Sequence, residues 1–201
     1  PLKNDNQPDI ITYDPSLNLG IQKASYLDND KDYLTSQSYV NDSEVLFFQT
    51  KPIQNDITIN GKIKLEAYIS MNVVDTDLKM SVYEITSENI SIFLQQDFLR
   101  ARYRNQLDKP EKVAKNVIMK YTFNGENFFS KNIKKGSRIR LVISNIDSPN
   151  IQRNFNYWDS PSYQSIEKAQ KSVIKLYHNK KYPSKIILPV KKKMLTPPKL
   201  H

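Results

Sequence analysis

The 201 residues are 38% hydrophobic and include 12 Tyr, 8 Phe and one Trp, enough for one sizeable core, so a single domain is the starting expectation. With no Cys, disulfide frameworks and thiolate metal sites are excluded, and no stretch approaches the roughly 20 apolar residues of a membrane span. The formal charge of +9 invites nucleic acid or an anionic membrane surface, yet the 30 Lys and Arg are scattered among 21 acids and only Lys134-Lys135 and Lys191-Lys192-Lys193 form tight runs. Those runs are read as solvated surface and a tail, and neither nucleic acid nor membrane is an expected partner.

The chain opens on Pro1 rather than Met, so an excised segment carrying any targeting signal is expected, and the localisation is not legible. Residues 1–43 are polar and rich in Asp and Asn, and predict an irregular arm with Tyr13, Tyr33 and Tyr39 spaced along it. Val45 to Phe48 is a short apolar strand. Asn60-Gly61 supplies a turn, because Gly tolerates the positive φ of a tight reversal. From Lys62 to Ser70, Ile63, Leu65, Ala67 and Ile69 alternate with Lys62, Lys64, Glu66 and Tyr68, the period of two of a strand with one buried face. Leu78, Met80 and Val82 repeat the pattern, as do Leu99, Ala101 and Tyr103 against Arg100, Arg102 and Arg104.

Val117, Met119, Tyr121 and Phe123 alternate with Ile118, Lys120 and Thr122, Asn124-Gly125 marks a second turn, and Ile139, Leu141 and Ile143 begin another alternation. Gln164 to Lys171 predicts a short accessory helix. Val173 to Tyr177 and Lys185 to Val190 predict two closing strands, the last at an edge or strand end because Pro189 has no N–H for a central ladder. At least eight strands without helical crossovers predict an all-β sandwich or barrel over 44–190, followed by a basic tail over 191–201.

A hydrolytic centre needs a nucleophile and a base within hydrogen-bond reach, and the base is usually His. Of the two His, His201 is terminal and His178 stands at a strand end without a triad partner in sequence, so it is read as structural. There is no Gly-x-Ser-x-Gly elbow, and four Gly provide no phosphate-cradling loop. Asp75-Thr76-Asp77 is the compact carboxylate pair, but the third acid, the Gly and the distant Glu of a calcium loop do not follow. It is read as a turn whose side chains bond the local backbone. Arg100, Arg102 and Arg104 are predicted to project from one strand face, with Tyr103 on the other. Single-strand nucleic-acid binders interleave such charge with aromatics on one face, so this comb is read as salt-bridged surface or an interdomain contact. Trp158, beside Phe155 and Tyr157, is a candidate sugar-stacking platform, interface anchor or core residue. No catalytic residue, metal or cofactor is expected.

These segments, in order, resemble a known family. Val45-Leu46-Phe47-Phe48-Gln49-Thr50-Lys51-Pro52 and Ile59-Asn60-Gly61 with the following strand resemble the start of the C-terminal domain of X-Pro dipeptidyl-peptidases and the related CocE/NonD hydrolases. Asp75-Thr76-Asp77, Leu99 to Arg104 with Lys109-Pro110, and Lys135 to Leu141 resemble its next motifs. Pro149, Arg153, Asn154 and Asn156 stand where the family tends to have Pro and then Arg-Asn-x-Asn, and Tyr177-His178, Tyr182-Pro183-Ser184 and Ile187 to Val190 resemble its closing strands. Asp147-Ser148 and Tyr157-Trp158 depart from it.

The resemblance covers about residues 11 to 190. It implies a jelly-roll sandwich of the galactose-binding-like type that follows an α/β-hydrolase domain carrying the Ser-Asp-His triad. The implied partner is that catalytic domain of the same polypeptide, with a homo-oligomer as a second candidate. Arg153, Asn154, Asn156 and Trp158 are the candidate interdomain or pocket-wall residues, and Asp75, Asp77, Arg100, Arg102, Tyr103 and His178 the structural motif. An apolar patch on the 145–165 loop or the 1–43 arm is expected to face the catalytic domain. The competing expectation is a stand-alone carbohydrate- or peptide-binding module, since fold does not fix function.

Overall fold

A computed structural model describes residues 7–17, 45–146 and 151–190. Its strands are β1 (Asp9–Tyr13), β2 (Val45–Gln49), β3 (Ile57–Gly61), β4 (Lys64–Met71), β5 (Asp77–Ile85), β6 (Ser91–Arg100), β7 (Met119–Phe123), β8 (Phe129–Ile133), β9 (Arg138–Ser144), β10 (Ser172–Tyr177) and β11 (Lys185–Ile187). One sheet runs β1, β10, β4, β7, with β11 paired to the first half of β4 on the β10 side. The other runs β2, β9, β5, β6. β3 and β8 form a separate ribbon, and every pairing is antiparallel. The chain passes repeatedly from one sheet to the other, which is the double Greek key of a jelly roll.

The period of two decides what is buried. Leu65, Ala67 and Ile69 on β4, Leu78, Met80 and Val82 on β5, and Ile139, Leu141 and Ile143 on β9 all face the core between the sheets. In β6 the pairing jumps from Gln95 opposite Val82 to Phe93 opposite Tyr83, so Leu94 is the extra residue of a bulge and turns toward the core. Past this point Tyr83 and Ile85 join Val142 in a second apolar cluster with Val45 and Phe47.

Several expectations need correction. Residues 9–13 of the predicted irregular arm form β1, because pairing to β10 satisfies their backbone; the calls over 18–43 and 191–201 lie outside the described residues. Within the expected helix over 164–171 the structure has one 3-10 turn, Ile166–Lys168, and a second, Pro161–Tyr163, precedes it. The last strand stops at Ile187, and Val190 makes an isolated bridge to Ile59. Val117 precedes β7 and is exposed. Asn60-Gly61, expected as a turn, instead ends β3, where Asn60 pairs with Ser130 and Gly61 with Phe129, while Asn124-Gly125 does lie between β7 and β8. Both glycines have positive φ, 138° at Gly61 and 69° at Gly125, and a Cβ on Gly125 would run into the Gln95 amide.

Candidate functional site

The start of β5 lies directly across from the end of β6, with Asp77 opposite Arg100. Arg100 donates from Nε to Asp77 Oδ1 at 2.7 Å and from Nη2 to Oδ2 at 2.8 Å. The pairing continues beyond the strands, where Ala101 N donates to the Thr76 carbonyl at 2.8 Å. One step further Arg102 meets Asp75, its backbone N donating to Oδ1 at 2.8 Å and its Nε to Oδ2 at 2.7 Å. Two acids spaced by two residues face two arginines spaced by two, so both pairs fall on one side of the strands. Such charge-assisted bonds are stronger than neutral ones. Asp75 is fully buried and the Arg102 side chain is 4% exposed. Burial pushes the Asp75 carboxyl above its ordinary range, against the pull of the Arg102 guanidinium and the Asn154 bond. The bond to Asp77 holds Arg100 above the usual arginine value.

Asn154 joins the two pairs. Its Nδ2 donates to Asp75 Oδ2 at 2.8 Å and to Asp77 Oδ1 at 2.9 Å, while its Oδ1 accepts from Asn156 N at 2.9 Å. Asn156 is fully buried with φ of 65°, a left-handed conformation that Asn adopts more readily than most residues, and its Nδ2 donates to the Gln170 carbonyl at 2.7 Å. Asn145, at the end of β9, donates to Thr76 Oγ1 and to the Asp77 carbonyl. Arg102 Nη1 donates to the Asp159 carbonyl at 2.6 Å, and Arg153 Nη1 reaches the Pro15 carbonyl at 3.3 Å. These bonds join the β4–β5, β6–β7 and β9–β10 connections at one end of the sandwich, and Arg153 ties the chain after β1 to them.

This geometry revises the arginine comb. The strand ends at Arg100 and Ala101–Tyr103 is a 3-10 turn, so Arg102 turns inward rather than projecting into solvent. Arg104 is also turned back, donating from Nη1 to the Ala101 and Glu111 carbonyls and from Nη2 to the Lys112 carbonyl. Tyr103, expected on the opposite face, lines the same hollow as Arg102. Asp75 bonds across to the chain after β6 rather than within its own turn.

That hollow, about 370 Å³, is walled by Arg102, Tyr103, Pro110, Trp158, Asp159 and Pro161, with Ser160 at its side. Trp158 is 37% exposed, with the Arg102 guanidinium carbon 4.7 Å and Lys112 Nζ 5.5 Å from its ring centre. A sugar needs an open ring face to stack on; here two cations lie over the indole.

A larger cleft of about 680 Å³ opens between the sheets, walled by Phe48, Leu65, Ile139, Leu141 and Leu176, with His178 at its mouth. His178 Nε2 lies 2.9 Å from Asp9 Oδ2, tying β10 to β1. Ser184 lines the same cleft, but its hydroxyl donates to the Tyr177 carbonyl and accepts from Tyr68 N, so it is committed to the backbone. Among the described residues no group of three or more His, Cys, Asp or Glu is placed to hold a metal ion. No described helix is long and apolar enough to cross a membrane. What the bonds of Asp75, Arg102 and Asn154 do is position loops.

Comparison with known proteins gives the fold and the family. The chain is 23% identical to the cocaine esterase of Rhodococcus sp. (strain MB1 Bresler) over 151 residues, covering 75% of this chain and 26% of that protein. A solved α-amino acid ester hydrolase superposes with a TM-score of 0.79 at 18% identity, over 95% of this chain and 34% of its own. An aminopeptidase from a marine sediment Thaumarchaeota archaeon gives 0.78 at 15% identity, over 94% and 34%. The chain therefore spans about a quarter of the esterase and about a third of each solved chain. Residues 9–187 match the family model described as the X-Pro dipeptidyl-peptidase C-terminal non-catalytic domain, and the chain belongs to that family.

Proposed function

We propose that this chain is the accessory β-sandwich of a serine hydrolase, packed on an α/β-hydrolase catalytic domain of the same polypeptide, where it walls the substrate pocket or organises an oligomer. The carrying observation is the family match over residues 9–187 to a domain described as non-catalytic. The site agrees with it, because Asp75, Asp77, Arg100 and Arg102 neutralise one another and carry no nucleophile with a base. From relatives named as an esterase, an ester hydrolase and an aminopeptidase we take the reaction class, cleavage of an ester or amide through an acyl-enzyme, with the nucleophile outside these residues. X-Pro peptides and simple esters are the substrates to try.

In this reading Trp158 is the contact residue, partly exposed beside a hollow, while Asn154, Asn156 and Arg153 position the segment that carries it. A carbohydrate-binding module is disfavoured by the cations on the Trp158 ring.

The test compares hydrolysis of an X-Pro amide and an aryl ester by this chain and by the same chain joined to the sequence encoded immediately upstream. The longer polypeptide alone should turn over, and a serine-reactive phosphonate should stop it. Turnover by the 201 residues alone would overthrow the reading.

A further inference from the structure

We infer that the loop over residues 104–111, with Leu107 at its tip, is a docking knob that seats in an apolar recess of the catalytic domain next to the Trp158 hollow. The inference rests on the accessory-domain reading and adds which surface makes the contact.

The neck of this loop is closed from both sides. Arg104 donates to the carbonyls of Ala101, Glu111 and Lys112, Asn105 Nδ2 donates to Glu111 Oε2 at 2.8 Å, and Glu111 N donates to the Arg102 carbonyl at 2.8 Å. Arg102, at the root, is itself anchored on buried Asp75. On this fixed neck Leu107 is 90% exposed, the highest value of any large hydrophobic side chain among the described residues. A single exposed leucine is ordinary on a flexible loop. A closed neck limits where the tip can lie, which removes part of the ordering cost that a partner would otherwise bear, as preorganised contacts do.

The hollow adjoins this loop. Pro110, on the loop itself, and Arg102 and Tyr103 at its root share the wall of the hollow with Trp158 and Pro161, and Trp158 is exposed there. Arg102 joins the loop to the segment that carries Trp158 through its bonds to the Asp159 and Tyr157 carbonyls, so knob and hollow form one body. The occupant is a hydrolase domain surface, because the sandwich accounts for only 34% of the solved chains it superposes on, leaving most of such a polypeptide to cover this face. Around the tip Asp108 and Lys109 offset each other, so an apolar recess fits better than a charged one.

The experiment uses the whole polypeptide that carries this sandwich. A photo-reactive side chain is installed in place of Leu107 and, in a second protein, in place of Phe128, which is 79% exposed on the β7–β8 connection. Irradiation should join position 107, and not 128, to peptides of the catalytic domain within one polypeptide. Leu107→Asp should speed proteolysis between the domains roughly tenfold or more, as expected from losing one buried leucine contact. A cross-link from 107 to a second copy, or none in an active enzyme, overturns the docking knob and leaves the accessory-domain reading standing. If the polypeptide holds no α/β-hydrolase domain, both fall.

Discussion

Replacing Arg102 by Met keeps an unbranched side chain of similar reach and removes the guanidinium. Asp75 then retains the Arg102 backbone N–H and the Asn154 amide but loses the Nε bond at 2.7 Å, and the Asp159 and Tyr157 carbonyls lose their donor. Removing one partner of a buried pair leaves an uncompensated charge and costs about 3–5 kcal/mol. For a domain of this size each kcal/mol lowers Tm by roughly 2–4 °C, so a fall of about 6–20 °C is expected. Urea unfolding followed by far-UV circular dichroism reads the change without depending on Trp158, whose ring loses its Arg102 contact. The pH dependence has a fixed sign. The Asp75 carboxyl is already raised by burial above 3.8, so the folded state holds this proton more tightly than the unfolded chain, and stability is present below that value and lost as pH rises through the folded one. Without Arg102 the carboxyl rises further, so the gap between Arg102→Met and the parent widens with pH and narrows in acid. Adding Asp75→Asn should recover part of the loss at pH 7. A loss below about 1 kcal/mol that ignores pH would mean that the pair behaves as an exposed one, and would refute the reasoning.

Three further outcomes follow from single positions. The buried Tyr121 hydroxyl has no hydrogen-bond partner among the described residues, and burial pushes it up to about 12. Tyr121→Phe should therefore be neutral or stabilising at pH 7, and should remove an alkaline loss of up to about 3 kcal/mol that the parent shows between pH 10 and 12, as read from urea midpoints of the two proteins. Gly125→Ala combines a φ of 69° with a Cβ that runs into the Gln95 amide, and should cost about 1–3 kcal/mol in the same assay. Asn154→Ala should speed amide exchange over residues 151–159 while the amides of β4 and β9 keep their protection; uniform loosening would contradict the local role.

The strands that show through the sequence are those whose alternation coincides with burial on one face, as in Leu65, Ala67 and Ile69 or Ile139, Leu141 and Ile143. β1, β3 and β8 are five-residue stretches such as Asp-Ile-Ile-Thr-Tyr and Phe-Ser-Lys-Asn-Ile, whose extended state is set by the partner strand more than by their own pattern. In β6 the bulge at Leu94 breaks the period, so only its last residues read as a strand. The acids and arginines were visible as Asp-x-Asp and Arg-x-Arg, but their pairing depends on the register that sets Asp77 opposite Arg100. Matching the two spacings in antiparallel sense would have found it. Asn154 and Asn156 carry no periodic signal and entered through the family resemblance. Leu107 had none at all, since its exposure follows from a neck closed by Arg104 and Glu111.

A domain that performs no chemistry still buries two acids and two arginines, and stability alone does not explain that choice. Well-packed apolar side chains in the same space are often no less stable than a buried ion pair. What apolar packing does not provide is direction. The fork of Arg100 admits one orientation of Asp77, and Asn154 meets both carboxylates only when the segment around it lies at one depth. Three loops that meet with no regular ladder between them are thereby given a single mutual arrangement. That arrangement places Trp158, Tyr103 and the neck of the Leu107 loop on one rigid end of the sandwich. Under the proposed accessory role such fixed geometry has a use, because a small displacement of a pocket wall is felt directly in the positioning of substrate. The charge network is thus best understood as the device that holds this face in shape, with the cost of its desolvation offset by the bonds within it.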